Sequence, residues 1–204
     1  MLRARFRSMP PIDRRARRWL YGITSEEHRF SPSVDMPTPL LLPTDRKLVY
    51  PWLGWQRVED DYRQMTELND MGRTEDVSLG LNMLATIGFA TRNYGSDRDA
   101  TLLTFSANKG WEPGGPGRLL LLETEASTRR EDLGFRNSRV QASARYYRRN
   151  LERHLFSARL SVLATDDLDR DNQVLLGGDT GLHGYPIRYQ AGDSRVLLAV
   201  EQRF

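Results

Sequence analysis

Hydrophobic and polar residues alternate with a period of two along most of this chain. Within residues 152–166, one set of alternate positions carries Phe156, Ala158, Leu160, Val162 and Ala164, and the other carries Ser157, Arg159 and Ser161. Successive side chains of a β-strand point to opposite faces of the sheet, so this pattern predicts a strand with one apolar and one polar face. Helical periodicity is weak throughout the chain, which favours an all-β fold.

Eight segments fit a strand. They are residues 16–30, 46–63, 75–91, 99–111, 118–129, 137–149, 152–166 and 193–204. Most of the connections are short and rich in turn-forming Gly, Pro, Asn and Asp, such as YGSDR, EPGGPG and EDLGFR. Parallel strands need crossovers of a dozen or more residues, and most of these connections are too short for that. The sequence therefore predicts an antiparallel meander of hairpins.

The length of these segments bears on their environment. Strands in globular proteins average about 5–6 residues, whereas a tilted strand that crosses a bilayer needs about 9–11. The apolar faces carry mainly Ala, Val and Leu, and several aromatic residues stand near segment ends: Tyr50, Trp52, Trp55, Trp111, Tyr146 and Tyr147. Such an arrangement is typical of membrane barrels with aromatic girdles. A soluble β-sandwich also alternates, so the pattern alone leaves both classes open.

The amino-acid composition limits the kinds of functional site and partner that this chain can have. The 204 residues include no Cys, which excludes disulfides and thiolate metal sites. The formal net charge is +3, and seven Arg residues precede Trp19. This basic start lacks the apolar core of a signal peptide. It also lacks the interleaved aromatics typical of nucleic-acid binding, and we expect no nucleic-acid partner. We treat residues 1–15 as a separate basic segment, interpreted as an upstream strand or turn.

Enzymatic chemistry has little support in the sequence. The triplet DTG at 179–181 matches the catalytic triplet of aspartic proteases, but it occurs once and follows Gly177 and Gly178. The three histidines, at positions 28, 154 and 183, lack metal-ligand spacing, and there is no G-x-S-x-G elbow. We therefore predict no catalytic residues, no metal site and no cofactor.

The stretch GGDTGLHGYPIRYQAGDSRVLLAVEQRF at 177–204 resembles the C-terminal barrel of the bacterial surface antigen superfamily. This family includes outer-membrane assembly factors of the BamA and TamA type and two-partner secretion transporters. Its members carry a Gly-Gly start and an apolar-Arg-Gly-aromatic tetrad in a long extracellular loop. The matching residues here are Gly177, Gly178, Leu182, His183, Gly184 and Tyr185. The resemblance is specific in this stretch and diffuse upstream of it.

The resemblance implies a transmembrane antiparallel β-barrel in the bacterial outer membrane. Residues 16–204 would be a partial barrel domain of about eight strands out of sixteen, and loop 167–192 would fold back into the lumen. Family members insert or translocate proteins, so the implied partners are unfolded outer-membrane or secreted proteins, accessory assembly proteins, and membrane lipid with lipopolysaccharide. We expect the chain to be a fragment flanked by periplasmic POTRA domains and further strands.

The sequence departs from the family at one position of the tetrad. His183 replaces the Arg that holds the family's loop inside the barrel, and His cannot make the bidentate fork of Arg. Arg188 is a candidate substitute, and Glu201 on the next strand is a candidate partner of the loop. The alternative functions are a passive outer-membrane pore or receptor barrel, and a soluble all-β binding domain.

Overall fold

The protein is all-β in the part that the structure, a computed structural model, describes: residues 15–32, 42–66, 68, 73–151 and 154–203. The strands are β1 (Arg15–His28), β2 (Arg46–Glu59), β3 (Tyr62–Thr66), β4 (Thr74–Ser78), β5 (Asn82–Ala90), β6 (Ala100–Trp111), β7 (Arg118–Glu131), β8 (Gly134–Leu151), β9 (His154–Asp166), β10 (Val174–Leu176), β11 (Gln190–Gly192) and β12 (Ser194–Arg203). Two single 3-10 turns, Arg92–Tyr94 and Gly178–Thr180, are the helical elements of this part. Apart from Arg15, the predicted basic segment 1–15 lies outside the described residues.

Eight strands form one antiparallel sheet in the order β1-β2-β5-β6-β7-β8-β9-β12. Each predicted segment contributes one of these strands, which confirms the antiparallel meander. The strands β1 and β12 lie at the two edges of the sheet. Strands β1 and β9 end, and β2 and β12 begin, at one end of the sheet, whereas EPGGPG joins β6 to β7 at the other. Within the described residues β1 and β12 do not pair with each other, so the sheet is open and the closed transmembrane barrel stays a prediction.

One face of the sheet is apolar and uncovered by any described residue. Paired neighbours across the sheet keep the alternation in phase, so that Leu122, Ala144, Leu160 and Leu198 form one cross-strand row. Val140 is 53% exposed, Leu160 41% and Leu198 70%. The edge strand β1 adds Trp19, Tyr21 and Ile23 to the same exposed face. These side chains therefore do not converge on a shared core within the described part of the chain.

The predicted strands 46–63 and 75–91 were too long. The chain leaves the large sheet at Glu59, forms the β3–β4 hairpin, and rejoins the sheet at Asn82. The segments where the chain leaves and rejoins the large sheet are in direct contact. Leu79 and Gly80 donate backbone hydrogen bonds of 2.7 and 3.0 Å to the Asp61 carbonyl. A Cβ at Gly80 would lie 1.9 Å from the Glu59 carbonyl oxygen, so only Gly fits there.

We name residues 62–79 the hairpin cover, and its described residues, 62–66, 68 and 73–79, pack on the polar face of the sheet. Their core joins Leu68, Val77 and Leu79 to three side chains of the sheet, Leu119, Tyr147 and Leu155. Leu79 also lies over Gly110, where a Cβ would be 2.6 Å from the leucine side chain. Leu119 and Leu121 of the run RLLLLETE point to the polar face, and this core explains why two leucines stand there.

A β-bulge changes the alternation near one end of β8. Ser127 pairs with Arg139, but Arg129 pairs with Arg136, so β8 contains one extra residue at this point. Asn137 adopts a left-handed conformation with φ of 49°. Because of the extra residue, Arg136 points to the polar face and Phe135 to the apolar face.

Candidate functional site

The long connection between β9 and β12, residues 167–192, lies over the polar face at the end opposite to the hairpin cover, and we name it the loop cover. Its acidic start reaches two arginines on different strands. The Asp169 carboxylate receives two hydrogen bonds from Arg129 of β7, at 2.7 and 2.9 Å. The same carboxylate lies 2.8 Å from Arg46 of β2. Strands β2 and β7 are three places apart in the sheet, so one carboxylate joins distant parts of it.

The ion pairs around Asp169 are largely shielded from water. The side chains of Arg129 and Arg46 are 7% and 9% exposed, and those of Asp169 and Asp171 are each 16% exposed. Asp171 adds a second contact to Arg46, at 3.2 Å. Buried charges are tolerated when they are paired and hydrogen-bonded, as they are here. The paired arginines therefore hold the start of the loop cover in one position.

The protonation of Asp169 follows from these contacts. Burial by itself would raise the pKa of its carboxyl, but the hydrogen bonds from Arg129 and the surrounding guanidinium charges outweigh burial. The pKa of Asp169 consequently lies below its ordinary value, and the group is ionised at neutral pH.

A polar cavity of about 470 Å³ adjoins this ion-pair cluster. Its lining includes Arg98, Arg136 and Asp167 in addition to the residues already named. Arg136 donates a 3.0 Å hydrogen bond to Asp167, and Arg98 lies 3.7 Å from Glu131. Because positive and negative side chains alternate around the cavity, its chemistry favours internal ion pairing over capture of a free charged ligand.

The glycine-rich part of the loop cover folds into a compact turn. Gly178 donates a backbone hydrogen bond to the Pro186 carbonyl at 3.2 Å, and Leu182 donates one to Gly177 at 3.0 Å. A Cβ at Gly177 would lie 2.4 Å from the Arg188 backbone nitrogen. Gly184 has a φ of +89°, in the left-handed region that favours Gly. The motif glycines thus allow two backbone segments to lie side by side.

The structure places the predicted site residues as follows. His183 and Arg188 are exposed, and Arg188 has a positive φ of 55°. Tyr185 is half-exposed and packs against Tyr189, with ring centres 5.2 Å apart. Glu201 receives a 2.8 Å hydrogen bond from Arg203 of its own strand. The motif residues 177–185 therefore come together, while Glu201 pairs elsewhere.

Two contacts attach the loop cover to β12, one through β10 and one through the compact turn. Arg195 of β12 donates a 2.9 Å hydrogen bond to the Leu175 carbonyl of β10. A Cβ at Gly181 would lie 3.2 Å from Leu197 of β12, so the turn passes close to this strand. The turn thus rests on the polar side of the sheet edge.

Sequence reasoning did not identify the strongest anchors of the loop cover, which are Arg46, Arg129, Asp169 and Asp171. The signal available was the acidic run DDLDRD at 166–171, which follows directly on a strand. Its arginine partners are remote, with Arg46 125 positions from Asp171. A local motif search cannot detect such a pair.

Comparisons with protein-family models, with curated proteins and with solved structures find no match for this chain. No helix in the described part is long and apolar enough to span a membrane. Among the described residues, no group of three or more His, Cys, Asp or Glu side chains is placed to hold a metal ion.

Proposed function

We propose that this chain forms part of the wall of a bacterial outer-membrane β-barrel. The observation that carries the proposal is the apolar face of the sheet, which stays exposed over eight strands while the polar face carries two folded covers. A soluble domain of this size normally buries such a face against a second layer. A bilayer would cover it without any further protein layer.

In this proposal the polar face lines the barrel interior. Unpaired strand edges are not tolerated in hydrocarbon, so β1 and β12 would pair with further strands to close the barrel. The lengths of the strands fit this arrangement, because six of the eight have at least 12 residues, against about 9–11 needed to cross a bilayer.

We further propose that the barrel inserts or translocates proteins rather than acting as an open pore. The resemblance of residues 177–185 to the loop motif of the bacterial surface antigen superfamily supports this role. The two covers on the polar face also favour it, because an open pore needs an unobstructed interior. The partners would be lipid with lipopolysaccharide, unfolded outer-membrane or secreted proteins, and accessory assembly proteins.

The solubility of the chain, its spectrum in micelles and its gel mobility test the membrane proposal. We expect the chain to need detergent for solubility, to give a β-sheet circular dichroism spectrum in micelles, and to migrate differently on gels with and without heating. A water-soluble monomer that retains the same spectrum would contradict the proposal.

Client folding tests the assembly role. Vesicles that contain the chain should speed the folding of an unfolded outer-membrane protein relative to empty vesicles. A solute leak through the same vesicles without faster client folding would instead support the passive pore.

A further inference from the structure

Four basic side chains gather at one corner of the apolar face, where β1 and β2 meet the hairpin cover. Arg15 and Arg17 lie on β1, Arg57 on β2 and Lys109 on β6, all on the apolar side of the sheet. One acidic side chain, Glu59, lies among them. Its carboxylate is 2.7 Å from Arg57, 3.3 Å from Lys109 and 3.7 Å from Arg15. The corner therefore keeps an excess of positive charge.

Two features of this corner are unfavourable for the protein alone. Arg17 and Arg57 are direct cross-strand neighbours, and like charges in that relation destabilise a sheet. The Arg57 Nε is buried and has no hydrogen-bond acceptor among the described residues. A buried donor without an acceptor is costly. An anion beside Arg17 and Arg57 would relieve the repulsion between these two side chains.

An apolar depression of about 290 Å³ begins at the same corner. Lys109 forms part of its rim, and small side chains form its floor. The apolar-face residues lining it include Ala107, Leu122, Thr124, Ala142, Ala144, Leu160 and Val162. The depression follows the cross-strand rows from β6 to β9, away from the basic corner. A groove of this kind fits a hydrocarbon chain whose polar end lies beside the cations.

We propose that this corner binds a phospholipid with an anionic headgroup, with the phosphate beside Arg17, Arg57 and Lys109 and one acyl chain in the depression. The inference rests on the proposed function, because it requires the apolar face to meet a bilayer. Trp19 and Trp55 lie one position further along the same face, as expected for aromatics at a lipid–water interface.

These tryptophans allow a direct test, because lipids brominated on the acyl chains quench tryptophan fluorescence at contact. The full chain would be reconstituted in phosphatidylcholine vesicles containing either brominated phosphatidylglycerol or brominated phosphatidylcholine. We expect the phosphatidylglycerol to quench more strongly at equal mole fraction. Each cation near an anionic headgroup contributes up to about fivefold in relative binding.

The Arg17→Gln variant separates ligand binding from a structural role. Removal of Arg17 relieves the repulsion with Arg57 and leaves the Glu59 contacts intact, so stability should not fall, while the preference for phosphatidylglycerol should fall several-fold. Arg159→Gln, which removes an exposed arginine from the polar face, is the matched control and should leave the preference unchanged. The Arg57→Gln/Lys109→Gln double variant should lose most of the preference.

The outcomes distinguish this inference from the proposed function. Equal quenching by the two brominated lipids, or an unchanged preference in Arg17→Gln, would overturn the headgroup site while leaving the apolar face in lipid. Failure of both lipids to quench would overturn the membrane proposal, and the lipid site with it.

Discussion

The hairpin cover and the loop cover lie at opposite ends of the polar face, and different forces hold them there. The hairpin cover is attached by a hydrophobic core in which Leu119 is 1% exposed. The loop cover is attached by buried ion pairs between Asp169, Arg129 and Arg46. Hydrophobic contacts are non-directional and insensitive to pH. Buried ion pairs need both partners, correct geometry and ionised carboxylates. The loop cover is therefore the one that a change of charge can release.

The largest effect is expected from truncation in the core of the hairpin cover. Leu119→Ala should lower the free energy of unfolding by about 2–5 kcal/mol, because it leaves a cavity under the hairpin. Denaturant titration of the folded protein in micelles measures this loss. Leu122→Ala is the control, since Leu122 lies on the opposite face of the same strand and is 38% exposed. An equal loss in both variants would show that the hairpin core is not the anchor.

A smaller effect is expected from removal of the central carboxylate of the loop cover. Asp169→Asn leaves Arg129 and Arg46 without their shared partner, at a cost below the about 3–5 kcal/mol known for fully buried pairs. The start of the loop should open, and trypsin should cleave faster after the exposed Arg170. Asp179→Asn removes an exposed acidic residue from the same loop and should leave cleavage unchanged.

The two covers should also differ in their response to acid. Because the pKa of Asp169 is lower in the folded protein than in the unfolded chain, its contribution to stability is present above the unfolded value of about 3.9. That contribution is lost as the pH falls further, through the lower folded pKa. The loop cover should therefore loosen below about pH 4 and not between pH 7 and 5.

Spin labels can compare the covers directly, because the chain has no Cys and one introduced thiol is unique. A label at Arg170→Cys should gain mobility below about pH 4. A label at Gln64→Cys, on an exposed position of β3, should keep its mobility over the same range. Release of both labels together would indicate global unfolding, and release at residue 170 between pH 7 and 5 would exclude Asp169 as the trigger.

The smallest effects are expected within the compact turn, and they should be graded. Gly177→Ala should act most strongly, because its Cβ would meet the Arg188 backbone nitrogen. Gly184→Val should follow at about 1–3 kcal/mol, since a β-branched residue is strained at positive φ. His183→Ala should stay within about 0.5 kcal/mol, because His183 is exposed. Trypsin cleavage after Arg188 reports the order, and equal rates in all three variants would contradict it.

The sheet could be predicted from the sequence because its signals are local. Period-two alternation marks each strand, and Gly, Pro and Asp mark the connections. The ends of the strands predicted at 46–63 and 75–91 could not be predicted in this way. Alternation continues through Met65 and Val77, and the break depends on the contact between Gly80 and Glu59, which only the folded chain creates.

In the candidate site, too, the part with local sequence signals could be predicted and the part that depends on remote contacts could not. The compact turn could be located from its glycines, because close backbone approach and positive φ leave a mark in the sequence. The ion pairs of the loop cover could not, because Asp169 is separated from Arg129 by 40 positions. Nothing in the chain near either residue specifies the other.

The bulge in β8 sets the direction of the side chains at the tip of its hairpin. The additional residue beside Asn137 directs Arg136 to the polar face, toward Asp167, and Phe135 to the apolar face. Deletion of this residue would leave a regular strand in which Arg136 still lies opposite Arg129 and Phe135 opposite Arg130, so both side chains would keep their faces. If the two residues between Arg136 and Arg139 continued the regular ladder instead, Arg136 would lie on the apolar face and Phe135 on the polar face. The bulge therefore decides whether a guanidinium or an aromatic ring reaches Asp167 at the tip of this hairpin.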